Sequence, residues 1–305
     1  MKKKGALQIS FAWIFALIVG VFILFLAIYA VTKFIGNEQE ISDAEIAKQI
    51  TVLINPLETG FESGKVTSLI LPVETRIYNR CDSIGSFGTQ SIKIAQKSFG
   101  KWTDTNTDIE SLNKYIFSEE YAEGKKLYLF SKPFEFPFKV SDLIYLTSSE
   151  KEYCFVNPPK DVKDELSELN QENLIFECSS NSIKICFEEK TGCDIIVNKN
   201  AKYVEKDNTK IYFEGDALMY AGIFSDKDIY ECQVKRLMQK VGNLVDIYQE
   251  KEILVSGICD AELYEELSQL KSLVVELNNS DEIYKINNLA EDIQNKNERG
   301  TCALW

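Results

Sequence analysis

Apolar residues follow three successive patterns along this chain. Residues 9–35 are almost continuously apolar, residues 59–224 hold short runs rich in β-branched and aromatic residues, and residues 225–305 repeat apolar residues every three or four positions. These patterns are typical of a fully apolar helix, of β-strands and of amphipathic helices, respectively. The sequence therefore predicts an α+β protein with an N-terminal transmembrane helix, a β-rich α+β exterior domain and a helical C-terminal region.

The first segment is long enough to cross a membrane as one helix. No charged residue lies between Lys4 and Lys33, and a hydrocarbon core of ~30 Å needs about 20 apolar residues. A cleaved signal peptide has an apolar stretch of only about 7–15 residues, so we predict a permanent signal anchor over residues 9–35. Lysines before it and acids after it place residues 1–8 in the cytoplasm and the rest of the chain outside the cell.

Short strands are predicted in the exterior domain. Pro72 interrupts the first of them, which indicates an edge strand or a bulge. Residues 203–204 and 211–213 flank a polar turn and predict a hairpin. The other runs are residues 66–71, 73–78, 92–94, 127–130, 143–146, 153–156, 174–176, 183–187 and 195–197.

Two helices are predicted among these strands. The capping box Thr107-x-x-Glu110 predicts a helix that continues through Ile116. A Pro-Pro pair at residues 158–159 opens the second, between two strand runs, as in a β-α-β crossover. Residues 36–58 precede the exterior domain and are predicted to form a membrane-proximal helix. It either continues the membrane helix outward or starts anew at the capping box Ser42-x-x-Glu45.

Three amphipathic helices are predicted after residue 224, with N-caps at Ser225, Asp260 and Asn279. Their apolar spacing is that of helices packed side by side. Each is short, which favours an antiparallel pair or a small bundle over an intermolecular coiled coil. The apolar positions are Tyr230, Val234, Leu237, Val241, Leu244 and Tyr248, then Leu263, Leu267, Leu270, Val274 and Leu277, then Ile283, Ile286, Ala290 and Ile293.

Composition narrows the function classes. The net charge of −13 and the four lysines of residues 1–35, which contain no acid, leave −17 on residues 36–305. Such a domain repels phosphate backbones, so we expect no nucleic-acid partner. The chain has no histidine, which removes Ser-His-Asp and Cys-His nucleophile pairs and imidazole metal ligands. We therefore expect no enzyme activity, no catalytic residues, no cofactor and no metal.

Eight cysteines all follow the apolar segment. In an oxidising exterior an even number of cysteines predicts up to four disulfides, whose pairing the sequence leaves open. Cys302 also begins a C-terminal sequence with the outline of a prenylation box, but the predicted topology favours a disulfide that holds Leu304 and Trp305 against the body. The candidate disulfide cysteines are Cys81, Cys154, Cys178, Cys186, Cys193, Cys232, Cys259 and Cys302.

One acidic stretch has the beginning of a calcium loop. Asp104, Asn106 and Asp108 alternate as EF-hand ligands do, but Ile109 stands where the loop needs Gly and Tyr115 where it needs Glu. The favoured interpretation is a solvated loop.

The segment Lys3–Phe11, followed by the apolar helix, resembles the N-terminus of type IV pilin-like proteins. In that family a prepilin peptidase cuts after a basic-Gly junction, and the apolar helices then bundle into a filament. The resemblance implies a processing site between Gly5 and Ala6, although Ser10 stands where bacterial pilins carry a glutamate. Taken whole, the chain resembles a group of uncharacterised single-pass archaeal membrane proteins, through segments 5–11, 130–138 and 212–220. That resemblance implies no activity and favours an archaeal cell surface.

The leading hypothesis is a membrane-anchored cell-envelope protein with a structural or assembly role, and in a narrower form a pilin-like subunit. Its expected partners are the lipid bilayer and either other envelope proteins or further copies of itself. The alternative is a ligand-binding or sensing ectodomain that works with a partner membrane protein.

Overall fold

A computed structural model describes residues 13–33, 66–98, 100–188, 191–258, 261–300 and 302–305. The chain divides into two compact units, Met1–Ile46 and Ala47–Trp305. The described part of the first unit is helix α1 (Trp13–Lys33). By length and composition it is the one helix among the described residues that could cross a membrane. The predicted helix within residues 36–58 lies outside the described residues.

The second unit contains two six-stranded sheets, and the α+β fold class is confirmed. The first sheet has the strand order β3-β2-β1-β5-β6-β4, in which only the pair β4 and β6 is parallel. Its strands are β1 (Val66–Asp82), β2 (Thr89–Ser98), β3 (Lys101–Ser111), β4 (Ile116–Phe117), β5 (Tyr121–Glu135) and β6 (Lys139–Ser148).

The bulge predicted at Pro72 is confirmed. The pairing of β1 with β5 shifts between Ile70 and Thr75, so the segment with Pro72 leaves the ladder and needs no backbone donor there. β1 lies between β2 and β5, so the alternative of an edge strand is wrong.

The helix predicted from Thr107 is wrong. Residues 101–111 form β3, which pairs antiparallel with β2 and places Ile109 opposite Ile92. A capping box stabilises a helix only locally, whereas a paired strand gains ladder hydrogen bonds and cross-strand contacts along its length. The solvated loop expected at residues 104–108 lies within this strand, and the side chain of Asp104 accepts a hydrogen bond from Lys93.

The second sheet has the order β12-β11-β10-β9-β7-β8. Helix α2 (Lys160–Glu168) connects β7 to the adjacent parallel β8, so the predicted β-α-β crossover is confirmed. The hairpin of β11 and β12 is also confirmed, and its turn residues Asp207 and Asn208 have φ values of 48° and 59°, typical of a type I′ turn. The strands are β7 (Tyr153–Val156), β8 (Leu174–Ile175), β9 (Ile183–Phe187), β10 (Ile195–Asn198), β11 (Tyr203–Lys206) and β12 (Thr209–Tyr212).

Helix α3 (Gly215–Phe224) packs between the two sheets and has no counterpart in the sequence prediction. It contacts β5 and β6 of the first sheet and β10 and β11 of the second. Every residue from Ala217 to Phe224 is buried. The two sheets therefore share one core through this helix.

The C-terminal region is helical, as predicted. Its elements are α4 (Lys227–Val255), α5 (Tyr264–Glu276), a 3₁₀ turn (Ser280–Glu282) and α6 (Ile283–Arg299). Thirteen of the fifteen predicted apolar positions are buried, and Leu244 and Tyr248 are partly buried. The predicted N-cap Asn279 is confirmed, since it precedes the 3₁₀ turn that leads into α6. Ser225 is wrong by one position: Asp226 occupies the N-cap position of α4, and the Ser225 hydroxyl donates to the Ala221 carbonyl of α3. Asp260 lies outside the described residues.

Candidate functional site

Three disulfides join six of the eight predicted cysteines, Cys81 to Cys232, Cys154 to Cys178, and Cys186 to Cys193. Cys302 is also disulfide-bonded, whereas Cys259 lies outside the described residues, as do Gly5 and Ala6 of the possible processing site. Leu304 is fully buried, and the Trp305 ring packs on Phe138 and Tyr248. The cysteines thus brace the fold and hold the C-terminal residues against it, as predicted.

A buried guanidinium also holds the fold together, in addition to the disulfides. Arg236 of α4 is fully buried and donates to the backbone carbonyls of Phe87, Leu112 and Lys114, and to the side-chain oxygen of Gln233. These carbonyls belong to the two loops that leave β1 and β3, and the Cys81–Cys232 disulfide joins the same helix to the end of β1. Burial lowers the pKa of Arg236. Its role is therefore structural: it holds α4 on the first sheet.

Beyond this braced part, α4 ends in exposed aliphatic side chains. Ile247, Ile253, Leu254 and Ile258 are 59%, 61%, 81% and 89% exposed. Ile247 and Leu254 are seven residues apart and so lie on one face of the helix. The Ile258 amide donates to the Val255 carbonyl, so it lies in the turn that ends the helix. We call these four side chains the apolar tip.

A cleft of about 210 Å³ lies where β5, β6 and β7 meet the loop after β4. Glu119 is ion-paired with Lys151 across this opening, and the Tyr153 hydroxyl donates to Glu119 over 3.4 Å. Thr147 and Ser148 line it from β6, and Glu150 from the turn that follows. We call this opening the Glu119 cleft. Burial, and then the Glu119 charge, raise the pKa of Tyr153, so its phenol remains a neutral hydrogen-bond donor.

A lysine lies close to this cleft. Lys206 of β11 donates hydrogen bonds to the carbonyls of Ile223 and Ser225, which end α3. Burial lowers its pKa to about 8, although the charges of Glu119 and Asp226 oppose the shift. Its amine satisfies orphan carbonyls at a helix C-terminus, which is a structural role.

An arginine stacked on aromatic rings adjoins the same cleft on the outer face of the first sheet. The Arg76 guanidinium carbon lies 4.3 Å from the ring centroid of Trp102 and 4.4 Å from that of Tyr121. Its Nε donates to Glu123 over 2.7 Å, and Tyr78 lies beside Tyr121 at a centroid distance of 6.1 Å. We call these five side chains the Arg76 patch. Tyr121 and Glu123 also line the Glu119 cleft, so the two features form one continuous surface.

A second, more open cleft of about 640 Å³ lies at the first turn of α3. Its walls come from the turn between β5 and β6, the loops after β10 and β12, and one face of α6. Every lysine that lines it is ion-paired with a carboxylate. Burial raises the pKa of one of these carboxyl groups, Glu214. The pairs are Lys132–Glu165, Lys199–Asp161, Lys199–Asp216 and Lys202–Glu214. We call it the α3 cleft.

The sequence predicted the disulfide cysteines. It did not predict the apolar tip, the Glu119 cleft, the Arg76 patch or the α3 cleft. The Arg76 patch is assembled from β1, β3 and β5, whose residues lie far apart in the sequence and meet only through strand pairing. In the described part of the chain, no three His, Cys, Asp or Glu residues converge as metal ligands. No protein-family model, no curated protein and no solved structure matches this chain.

Proposed function

We propose that this chain is a membrane-anchored, single-pass protein of the cell envelope with a structural or assembly role. In this proposal α1 crosses the membrane with its N-terminus in the cytoplasm. The disulfide-braced unit stands outside and binds another envelope protein through the apolar tip. The anchor is supported by the length and composition of α1, and the exterior location by the disulfides.

The observation that carries this proposal is the exposure of the apolar tip. These large aliphatic side chains gather at one end of a helix, and larger exposed apolar patches mark interaction sites on soluble proteins. Among the described residues the core of the bundle is complete without them: Leu267 and Leu270 of α5, and Leu263 just before it, are fully buried. Binding that covers the tip would remove its apolar surface from water, which stabilises a complex by about 25 cal/mol for each Å² buried.

The charge of the domain favours a protein partner over a lipid surface. Residues 36–305 carry a net charge of −17. Glu250 lies exposed between Ile247 and Ile253 of the tip in sequence, and Glu262 lies exposed beyond Ile258. An acidic surface is repelled by anionic lipid headgroups, whereas aliphatic contact with a protein needs no positive charge on this side.

The test is photocrosslinking in native membranes. A benzophenone amino acid replaces Leu254 in the full-length protein, and a matched protein carries it at Tyr284, which is 63% exposed on α6 and lies outside the tip. We expect a discrete crosslinked protein band from position 254, lost with Ile258→Asp, and none from position 284. Equal labelling at both positions, or none at 254, contradicts the proposal. The mass of the partner distinguishes a further copy from another envelope protein.

The narrower, pilin-like form of the proposal has its own test. Peptide mass spectrometry of the protein from native membranes would find Ala6 as the first residue if a prepilin peptidase processes the chain. A chain that retains Lys4 and Gly5 leaves the assembly role standing but removes the pilin-like form.

The α3 cleft favours a second candidate function, a ligand-binding or sensing ectodomain that works with a partner membrane protein. Its volume of about 640 Å³ falls within the range of small-molecule sites, roughly 300–1,000 Å³. Native mass spectrometry of the purified protein would reveal a co-purifying metabolite, whose loss on Lys202→Met would support this function.

A further inference from the structure

We propose that the Glu119 cleft, together with the exposed Tyr121 ring at its rim, binds a neutral saccharide. This inference concerns a different surface from the apolar tip and does not depend on it.

The polar groups of the cleft suit a ligand with many hydroxyl groups. The Glu119 carboxylate accepts from Lys151 and Tyr153, and a carboxylate has about four acceptor positions in all. The exposed carboxylate of Glu150 adds further acceptors, whereas the Thr147 hydroxyl is buried and accepts from Asn173. Sugar hydroxyls can donate to these free acceptor positions without breaking any ion pair.

Charged ligands fit this cleft less well. Its one lysine, Lys151, is paired with Glu119, and the neighbouring Arg76 is paired with Glu123. An anion would therefore have to break an existing ion pair, in a lining where carboxylates outnumber cations. Among the described carboxylates that line the cleft, a cation would find only Glu150 without an ion pair, at the exposed margin. A neutral ligand avoids both costs.

The rim supplies an aromatic surface of the kind that packs against the apolar C–H face of a sugar ring. Tyr121 is 39% exposed and lines the cleft. Arg76 stacks 4.4 Å from its centroid and is itself held by Glu123 and Trp102. This stacking fixes the orientation of the ring before a ligand arrives, which reduces the entropy lost on binding.

The size of the cleft limits the ligand. About 210 Å³ is less than the volume of typical drug-sized sites, so the cleft holds one sugar ring. Trp102, on the other side of Arg76, extends the aromatic surface beyond the cleft. A terminal sugar of a longer glycan therefore fits better than a free monosaccharide alone.

Saturation-transfer difference NMR on the full-length protein tests this, in a detergent without a sugar headgroup. The neutral probes are the methyl glycosides of glucose, galactose, mannose and N-acetylglucosamine, and the charged probes are glucuronate and glucosamine. We expect transfer to the ring protons of at least one neutral probe and weaker transfer to both charged ones. Tyr121→Ala should weaken binding roughly two- to tenfold, the range measured for aromatic contacts.

Two controls make the result decisive. Tyr264→Ala removes a comparably exposed ring on α5 and should leave binding unchanged. Glu119→Gln keeps the shape of the side chain, and we expect it to weaken neutral probes while the far-ultraviolet circular dichroism stays native. The proposal is overturned if no neutral probe receives saturation, if a charged probe is preferred, or if Tyr121→Ala and Tyr264→Ala bind alike.

Discussion

Removing the three described disulfides one at a time should destabilise the protein in the order of their sequence separations. Each pair is replaced by alanines: Cys81 with Cys232, Cys154 with Cys178, and Cys186 with Cys193. A disulfide stabilises mainly by restricting the unfolded chain, and the effect grows with the logarithm of the loop it closes.

The separations in this fold give a wide range of expected effects. The sequence separation is 151 residues for Cys81–Cys232, 24 for Cys154–Cys178 and 7 for Cys186–Cys193. The loop-entropy relation then gives losses of about 5, 3.5 and 2 kcal/mol in the free energy of unfolding at 25 °C. Removing the Cys81–Cys232 bridge, which closes the longest loop, should therefore lower the free energy of unfolding most.

Urea unfolding of the full-length protein in micelles measures these losses, with tryptophan fluorescence as the signal. The extrapolated free energy of unfolding is compared rather than the midpoint, because a less restricted unfolded chain also raises the m-value. Native circular dichroism without urea is the control for folding. If the Cys81–Cys232 variant loses no more stability than the Cys186–Cys193 variant, the loop-entropy account of this bridge is wrong.

Three further substitutions test the packing described above. Arg236→Met leaves four acceptors without their donor, one of them buried and three partly buried, and should cost about 3–5 kcal/mol in urea unfolding; a loss below 1 kcal/mol would contradict the bracing role. Lys206 has a folded-state pKa of about 8, below the ordinary 10.5, so its burial penalty is present below pH 8 and is relieved as the pH rises to 10.5. The stability of the wild type relative to Lys206→Met should therefore rise across that window, by at most about 3 kcal/mol; a fall would refute the assignment. Trp305→Ala removes the ring that covers Phe138 and Tyr248 and should cost about 2–3 kcal/mol, and an unchanged midpoint would show that the ring contributes no packing.

The sequence predicts the elements whose burial is periodic. α4, α5 and α6 each bury one face, so their apolar spacing identifies both the helix and its inward residues. The β-α-β unit and the β11–β12 hairpin are predicted for a similar reason, because proline and polar turn residues mark their ends. The N-cap at Asn279 is predicted correctly, whereas the one at Ser225 is wrong by one residue, because the Ser225 hydroxyl donates to the end of α3.

Two elements lie beyond this kind of reasoning. α3 is buried on all sides between two sheets, so its sequence has no polar face and no period that marks a helix. β3 carries a local helix signal, but its pairing with β2 decides the outcome. In both cases the deciding partner is remote in the sequence.

The candidate sites were not predictable for the same reason. Arg76, Trp102 and Tyr121 become neighbours only through the pairing of four strands, and Glu119 meets Lys151 from another loop. Each residue by itself is an ordinary surface residue, and the positions give no short-range motif. The cysteines could be identified as disulfide partners, but their pairing could not be chosen.

The connectivity of the disulfides limits the order in which they can form during biosynthesis. A chain made from its N-terminus exposes Cys81 first, yet its partner Cys232 follows 151 residues later. Between them lie the two local pairs, and each of those can close soon after its own second cysteine emerges. Early closure of the local pairs removes four competing thiols before Cys232 arrives. Cys81 therefore needs only to stay reduced while it waits, and the final bridge then forms with few wrong partners left among the described cysteines.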